Sequence, residues 1–102
     1  MNSKQIDFFQ GKKIEILEMN LKKVDNRLEL SWLLCLENCF FRITFYNVSR
    51  LKIVDFSLPL EIHGFEIINH SQNGWENDSA FEIRDFEDDR VNFFCEYIKQ
   101  HS

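Results

Sequence analysis

The stretch Arg27–Tyr46, RLELSWLLCLENCFFRITFY, is the one whose reading sets the fold class. Its first half alternates Leu28, Leu30 and Trp32 with Arg27, Glu29 and Ser31 before becoming wholly apolar, the period of an extended chain with one face on a core. Glu37-Asn38 punctuates a reversal, and Phe40–Tyr46 resumes with Phe, Ile, Thr and Tyr, side chains suited to a pleated, half-buried surface. Phe41, Ile43 and Phe45 then share one face, and Arg42, Thr44 and Tyr46 the other. The segment therefore predicts two strands of one antiparallel hairpin.

Working outward, Val24-Asp25-Asn26-Arg27 is a turn sequence, so Lys13–Val24 predicts a further strand. Its alternation is blurred between Ile14, Ile16, Glu18 and Glu15, Leu17, Met19, Leu21, and a helix is the competing reading. Residues 1–12 read as a helical turn or a loose arm. On the other side, Asn47-Val48-Ser49-Arg50 predicts a bend, and Leu51–Phe56 an extended run that Ser57-Leu58-Pro59 ends, because proline lacks the donor a central ladder needs. Leu60–His63 and Phe65–Asn69 read as strand segments separated by Gly64 at a bulge. Residues 70–79 form a polar loop containing Asn73-Gly74. Phe81–Phe86 and Arg90–Ile98 flank Glu87-Asp88-Asp89 as a terminal hairpin, with Val91, Phe93, Cys95 and Tyr97 on one face. Seven or eight short strands at this spacing predict one all-β domain over residues 1–102, an antiparallel sandwich or flattened barrel.

The chain has 102 residues, which suits a single core, and eleven Phe supply large side chains to fill it. Its net charge of −5 argues against nucleic-acid partners, which require a basic face. The charge is unevenly placed: net +3 over residues 1–54 and net −8 over residues 55–102. An acidic second half is suited to steering a basic partner, although charges of this kind commonly serve only to keep strand edges wet. The opening residues hold no apolar run of signal-peptide length, and nowhere do eighteen apolar residues follow one another, so no membrane span and a reducing cytoplasm are expected. Cys35, Cys39 and Cys95 read as free thiols; a Cys35 to Cys39 disulfide across a tight hairpin is the alternative.

Catalytic equipment is sparse. His63, His70 and His101 fall in a turn, at a loop edge and near the carboxyl end, and His63, His70, Glu76 and Asp78 match no metal-ligand spacing. A Cys95 and His63 dyad puts its thiol on an inward strand face, where it is inert. No phosphate-binding or dinucleotide loop is present, and no metal or cofactor is expected. Two surface features remain. Trp75, with Glu76 and Asp78 beside it, has the look of an aromatic interface anchor, and Asp85, Glu87, Asp88 and Asp89 gather at one hairpin tip as an electrostatic complement.

The succession KKIEILEMNL at 12–21, FRITFYNVSRL at 41–51, GFEI at 64–67, GWEN at 74–77, FEIRDF at 81–86 and VNFFCEYI at 91–98 resembles small bacterial β proteins, some of them immunity proteins of polymorphic toxin systems. The likeness covers most of residues 12–98. It implies a cytosolic, non-enzymatic protein acting by stoichiometric binding of a toxin domain, and no catalytic residues carry over from it. The expected function is thus a protein-binding module without enzymatic activity, blocking a partner that is a basic toxin domain. The alternatives are a small-ligand-binding barrel with Trp32, Phe93 and Tyr97 around its cavity, or a homo-oligomeric structural subunit joined through a strand edge.

Overall fold

The computed structural model describes residues 12–54, 57–70 and 81–101. These form β1 (Ile14–Val24), β2 (Arg27–Leu36), β3 (Cys39–Tyr46), β4 (Ser49–Ile53), β5 (Leu60–Ile62), β6 (Phe65–Asn69), β7 (Phe81–Asp85), β8 (Val91–Cys95) and β9 (Tyr97–His101), with no helix among them. One sheet has the order β5-β1-β2-β3-β9 and the other β4-β8-β7-β6, every pairing antiparallel. The sheets pack as a sandwich and do not close into a barrel.

Local chemistry explains the first sheet. Asp25 and Asn26 at φ 51° and 64°, and Glu37 and Asn38 at φ 52° and 65°, make two-residue turns whose twist suits the strands they join. The strand reading of Lys13–Val24 holds, and its blurred alternation has a cause. The pairing steps from Ile16↔Leu34 to Glu18↔Leu33, so Leu17 is an extra residue in a bulge and the phase of β1 changes there. Cys35 lies across from Phe40, while Cys39 lies across from inward-pointing Leu36; the two thiols occupy opposite faces and remain free.

Three of the four crossings between the sheets correct a sequence expectation. Asn47, at φ 56°, with Val48 leads from β3 into β4, so the predicted bend is a sheet change; Ser49 and Arg50 already belong to β4, where Arg50 at φ 53° sits in a register shift. Gly64 is not a bulge within one strand pair but the passage from β5 in the first sheet to β6 in the second. The run Arg90–Ile98 is two strands. β8 ends at Cys95, and Glu96 donates its N–H to the Tyr46 carbonyl at 3.0 Å before β9 joins the first sheet. This crossing shifts the side-chain phase, burying Ile98 and leaving Tyr97 50 % exposed. It also raises the count among the described residues to nine strands.

The core lies between the sheets. Trp32 of β2 meets Phe45 of β3 edge-on at 4.8 Å between ring centroids, Phe93 of β8 at 5.7 Å and Phe65 of β6 at 6.0 Å. Phe45 and Phe93 close the cluster at 5.0 Å. Around it are Leu30, Leu34, Ile43, Ile62, Ile67, Ile83 and Val91, all buried. Trp32 and Phe93 thus fill the interior by packing on each other, and Tyr97 is outside, so these three side chains do not line a common cavity. Among the described residues the Trp32 indole N–H has no hydrogen-bond partner.

Truncation of Trp32 should therefore be costly, about 3–5 kcal/mol for Trp32→Ala in denaturant unfolding. Trp32→Phe should lose far less, because it keeps an aromatic ring and removes a buried donor without an acceptor. Equal losses in the two variants would contradict this account of the core.

Candidate functional site

Period two places Phe81, Ile83 and Asp85 on the inward face of β7, so the last of them is a carboxylate facing the interior, with a side chain that has no exposed surface. A buried carboxylate requires donors. Asp85 accepts the Asp88 N–H at 3.2 Å and the Arg90 N–H at 3.5 Å, and the Asp89 N–H reaches the Asp85 carbonyl at 3.0 Å. Arg90 also stands beside it, Nε 4.0 Å from Oδ2, and donates from Nη2 to the Glu61 carbonyl on β5. Residues 86–90 are thereby folded around Asp85 and tied to the edge of the first sheet. Asp85 is the inner support of the acidic tip, and its charge is not displayed on the surface.

The tip displays Phe86, Glu87, Asp88 and Asp89. Phe86 is 52 % exposed and donates its N–H to the Gly64 carbonyl at 3.0 Å. Its ring lies so close over Gly64 that an added Cβ there would come within 2.7 Å of it, so glycine permits the approach. Asp89 binds Lys52 at 2.8 Å, Asp88 lies 3.8 Å from Arg90, and among the described residues Glu87 has no ion pair. Val54, 40 % exposed, donates its N–H to the Arg90 carbonyl beside them. This end of the sandwich presents an aromatic ring on an internally braced loop rimmed by carboxylates. Trp75, Glu76 and Asp78 fall outside the described residues.

The chain matches no family model, no curated protein and no solved structure.

Phe86 escaped the sequence reading, which placed it at a strand end. The available signal was its phase: an aromatic residue immediately after the inward series Phe81, Ile83, Asp85 must face outward. Among the described residues the remaining acids are not gathered into one patch. Lys13 approaches Glu61 at 3.8 Å, Arg27 approaches Glu96 at 3.7 Å and Lys52 holds Asp89, so bases of the first half meet acids of the second. On the outer face of the second sheet, Arg84 pairs with Glu66, and His70 lies 3.0 Å from Glu82.

The polar groups considered for chemistry are dispersed. His63 sits 3.6 Å from Glu61, whereas Cys95 is fully buried in β8 across from Phe81. Burial pushes the Cys95 thiol far above the ordinary thiol range, only partly offset by a hydrogen bond with the Tyr97 backbone. His101 is not a loose tail residue. Its Nε2 is 2.8 Å from Thr44 Oγ1, which is 3.0 Å from Ser31 Oγ, a hydroxyl chain tying β9, β3 and β2 across the outer face of the first sheet. Among the described residues no three His, Cys, Asp or Glu side chains converge as metal ligands. An open hollow of about 390 Å³ beside Val24, Arg27, Glu29, Tyr46 and Glu96 is a surface recess, not an internal cavity.

Two measurements follow from these placements. Asp85→Ala leaves two loop N–H groups and Arg90 without their acceptor; it should destabilise the fold by about 1–3 kcal/mol and speed amide exchange over residues 86–90. A thiol reagent should label exposed Cys39 rapidly and buried Cys95 only on unfolding; fast labelling of Cys95 in the native protein would contradict its burial.

Proposed function

We propose that this protein is a non-enzymatic binding module that covers and blocks a basic partner domain with its acidic end. The observation that carries the reading is Phe86, an exposed ring seated on Gly64 and followed by Glu87, Asp88 and Asp89 on a loop already braced by buried Asp85. Aromatic anchors contribute most where they enter a pocket from a rigid support, since little ordering entropy remains to be lost on binding. The carboxylate rim favours a positively charged partner and accelerates encounter with it.

The resemblance of the sequence to immunity proteins supports a toxin domain as that partner, and a cytoplasmic setting goes with it. In this reading the interior serves only to hold the surface. The second-sheet origin of the tip and its tie to β5 support a binding end that moves as one piece with the body.

The test is protection and binding with basic toxin domains encoded beside this chain. Co-expression should rescue growth. In purified components Phe86→Ala should weaken binding by at least about tenfold through faster dissociation. Glu87→Lys with Asp88→Lys should slow association and reduce its salt dependence. Binding of full strength in both variants would place the interface elsewhere, and failure to protect against every neighbouring toxin would end the immunity reading.

A further inference from the structure

Among the described residues the outer edge of β1 is only partly covered. β5 pairs with Ile14, Glu15 and Ile16 and goes no further, while β2 follows the other edge to Val24↔Arg27. Among the described residues, no strand pairs with the outer edge from Glu18 to Val24, and the side chains from Asn20 onward are exposed. The turn at Asp25-Asn26 makes Val24 and Arg27 a hydrogen-bonded pair, and the antiparallel alternation then fixes the rest. Lys22 and Asn20 bond to β2, whereas the N–H and C=O of Met19, Leu21 and Lys23 point to the open edge. Leu21 is 48 % exposed at the middle of this stretch.

We propose that this edge binds a second copy of the same chain, β1 against β1, antiparallel about a twofold axis at Leu21. The two copies must place outward-pointing residues opposite one another, which restricts the axis to Met19, Leu21 or Lys23, or to an even-numbered position midway between two of them. An axis at Asn20 or before drives Val24 of one copy onto Ile16 of the other, a place already taken by β5. An axis at Lys22 sets that lysine against its own copy, and one at Lys23 leaves little strand to pair. Leu21 remains, and it is the midpoint of the open stretch from Glu18 to Val24.

In this register Leu21 faces Leu21 of the second copy, and Met19 faces Lys23, giving about six new backbone hydrogen bonds. On the other face Asn20 meets Lys22 and Glu18 meets Val24, with Glu18 diagonal to Lys22. No like charges stand opposite. Lysines on an edge usually discourage pairing, but Lys22 already lies 3.7 Å from Glu29 within its own chain, and each lysine here meets an amide or a thioether. The result joins the two larger sheets into one, covers the exposed leucine and removes an unpaired edge.

Sedimentation velocity on the full chain, from micromolar to submillimolar concentration, tests this. A concentration-dependent dimer is expected. Leu21→Lys, which sets like charges on the axis, should raise its dissociation constant by at least about tenfold. Leu21→Pro should do the same by removing an outward N–H while sparing the β1–β2 ladder; circular dichroism and melting confirm that each variant folds. In a Cys35→Ser, Cys39→Ser background, Leu21→Cys should cross-link to its copy under mild oxidation, and Asn20→Cys should not. A monomer throughout the range, a dimer indifferent to both Leu21 variants, or equal cross-linking at the two positions would overturn the proposal.

Discussion

Two facing sheets enclose a gap that must be filled at crystal-like density, and here four rings do most of the filling. Trp32 and Phe45 come from the first sheet, Phe65 and Phe93 from the second, with centroids 4.8–6.0 Å apart and mostly edge-on. Each buried ring contributes roughly 1.5–3 kcal/mol by leaving water. Because the rings interlock across the layers, they also fix the lateral position of one sheet on the other. The places where the chain crosses between layers, Asn47, Gly64 and Glu96 among them, follow from that position, as does the height at which the loop after β7 meets β5.

Period two was enough to read the strands that stay in one sheet. Leu30, Trp32 and Leu34 on β2, and Ile43 and Phe45 on β3, are buried as their spacing requires, and the turns at Asp25-Asn26 and Glu37-Asn38 adopt the positive φ values such residues tolerate. What could not be read was where a strand changes sheet. Val91 to Ile98 is an unbroken extended run by composition, yet β8 pairs with β7 and β4 while β9 pairs with β3, and Glu96 marks the change by its hydrogen bond to Tyr46. Gly64 likewise marked an interruption without revealing that its two sides belong to different layers. Of the candidate site, the acidic tip was legible as a cluster. The inward direction of Asp85 follows from its phase with Phe81 and Ile83, and that same phase assigns Phe86 to the surface.

The charge asymmetry along the chain illustrates how topology rearranges what sequence order suggests. A basic first half and an acidic second half need not give two poles, because β5 and β9 of the second half join the sheet of the first, and β4 of the first half joins the sheet of the second. Lys13 meets Glu61, Arg27 meets Glu96 and Lys52 meets Asp89 as a direct result. Exposed pairs of this kind add little to stability, at most about 1 kcal/mol each. Their effect is to cancel the field locally, so that negative potential survives where carboxylates outnumber their partners, at Glu87 and its neighbours.

The two surfaces lie toward opposite ends of β1. Its first residues pair with β5, which Arg90 ties to the acidic loop, whereas the edge that no described strand covers runs from Glu18 toward the turn at Asp25-Asn26. Antiparallel self-pairing about Leu21 would therefore separate the two acidic ends along the strand direction, one beyond each end of the paired stretch. Neither Phe86 nor its carboxylate rim lies on the paired edge, so a partner on the acidic end and a second copy on β1 do not compete for the same atoms. A dimer of this shape is bivalent, and its gain in apparent affinity depends on the partner: a single basic domain sees only a statistical factor, whereas a partner presented in multiple copies, at a spacing the joined sheet can span, is held through both ends at once.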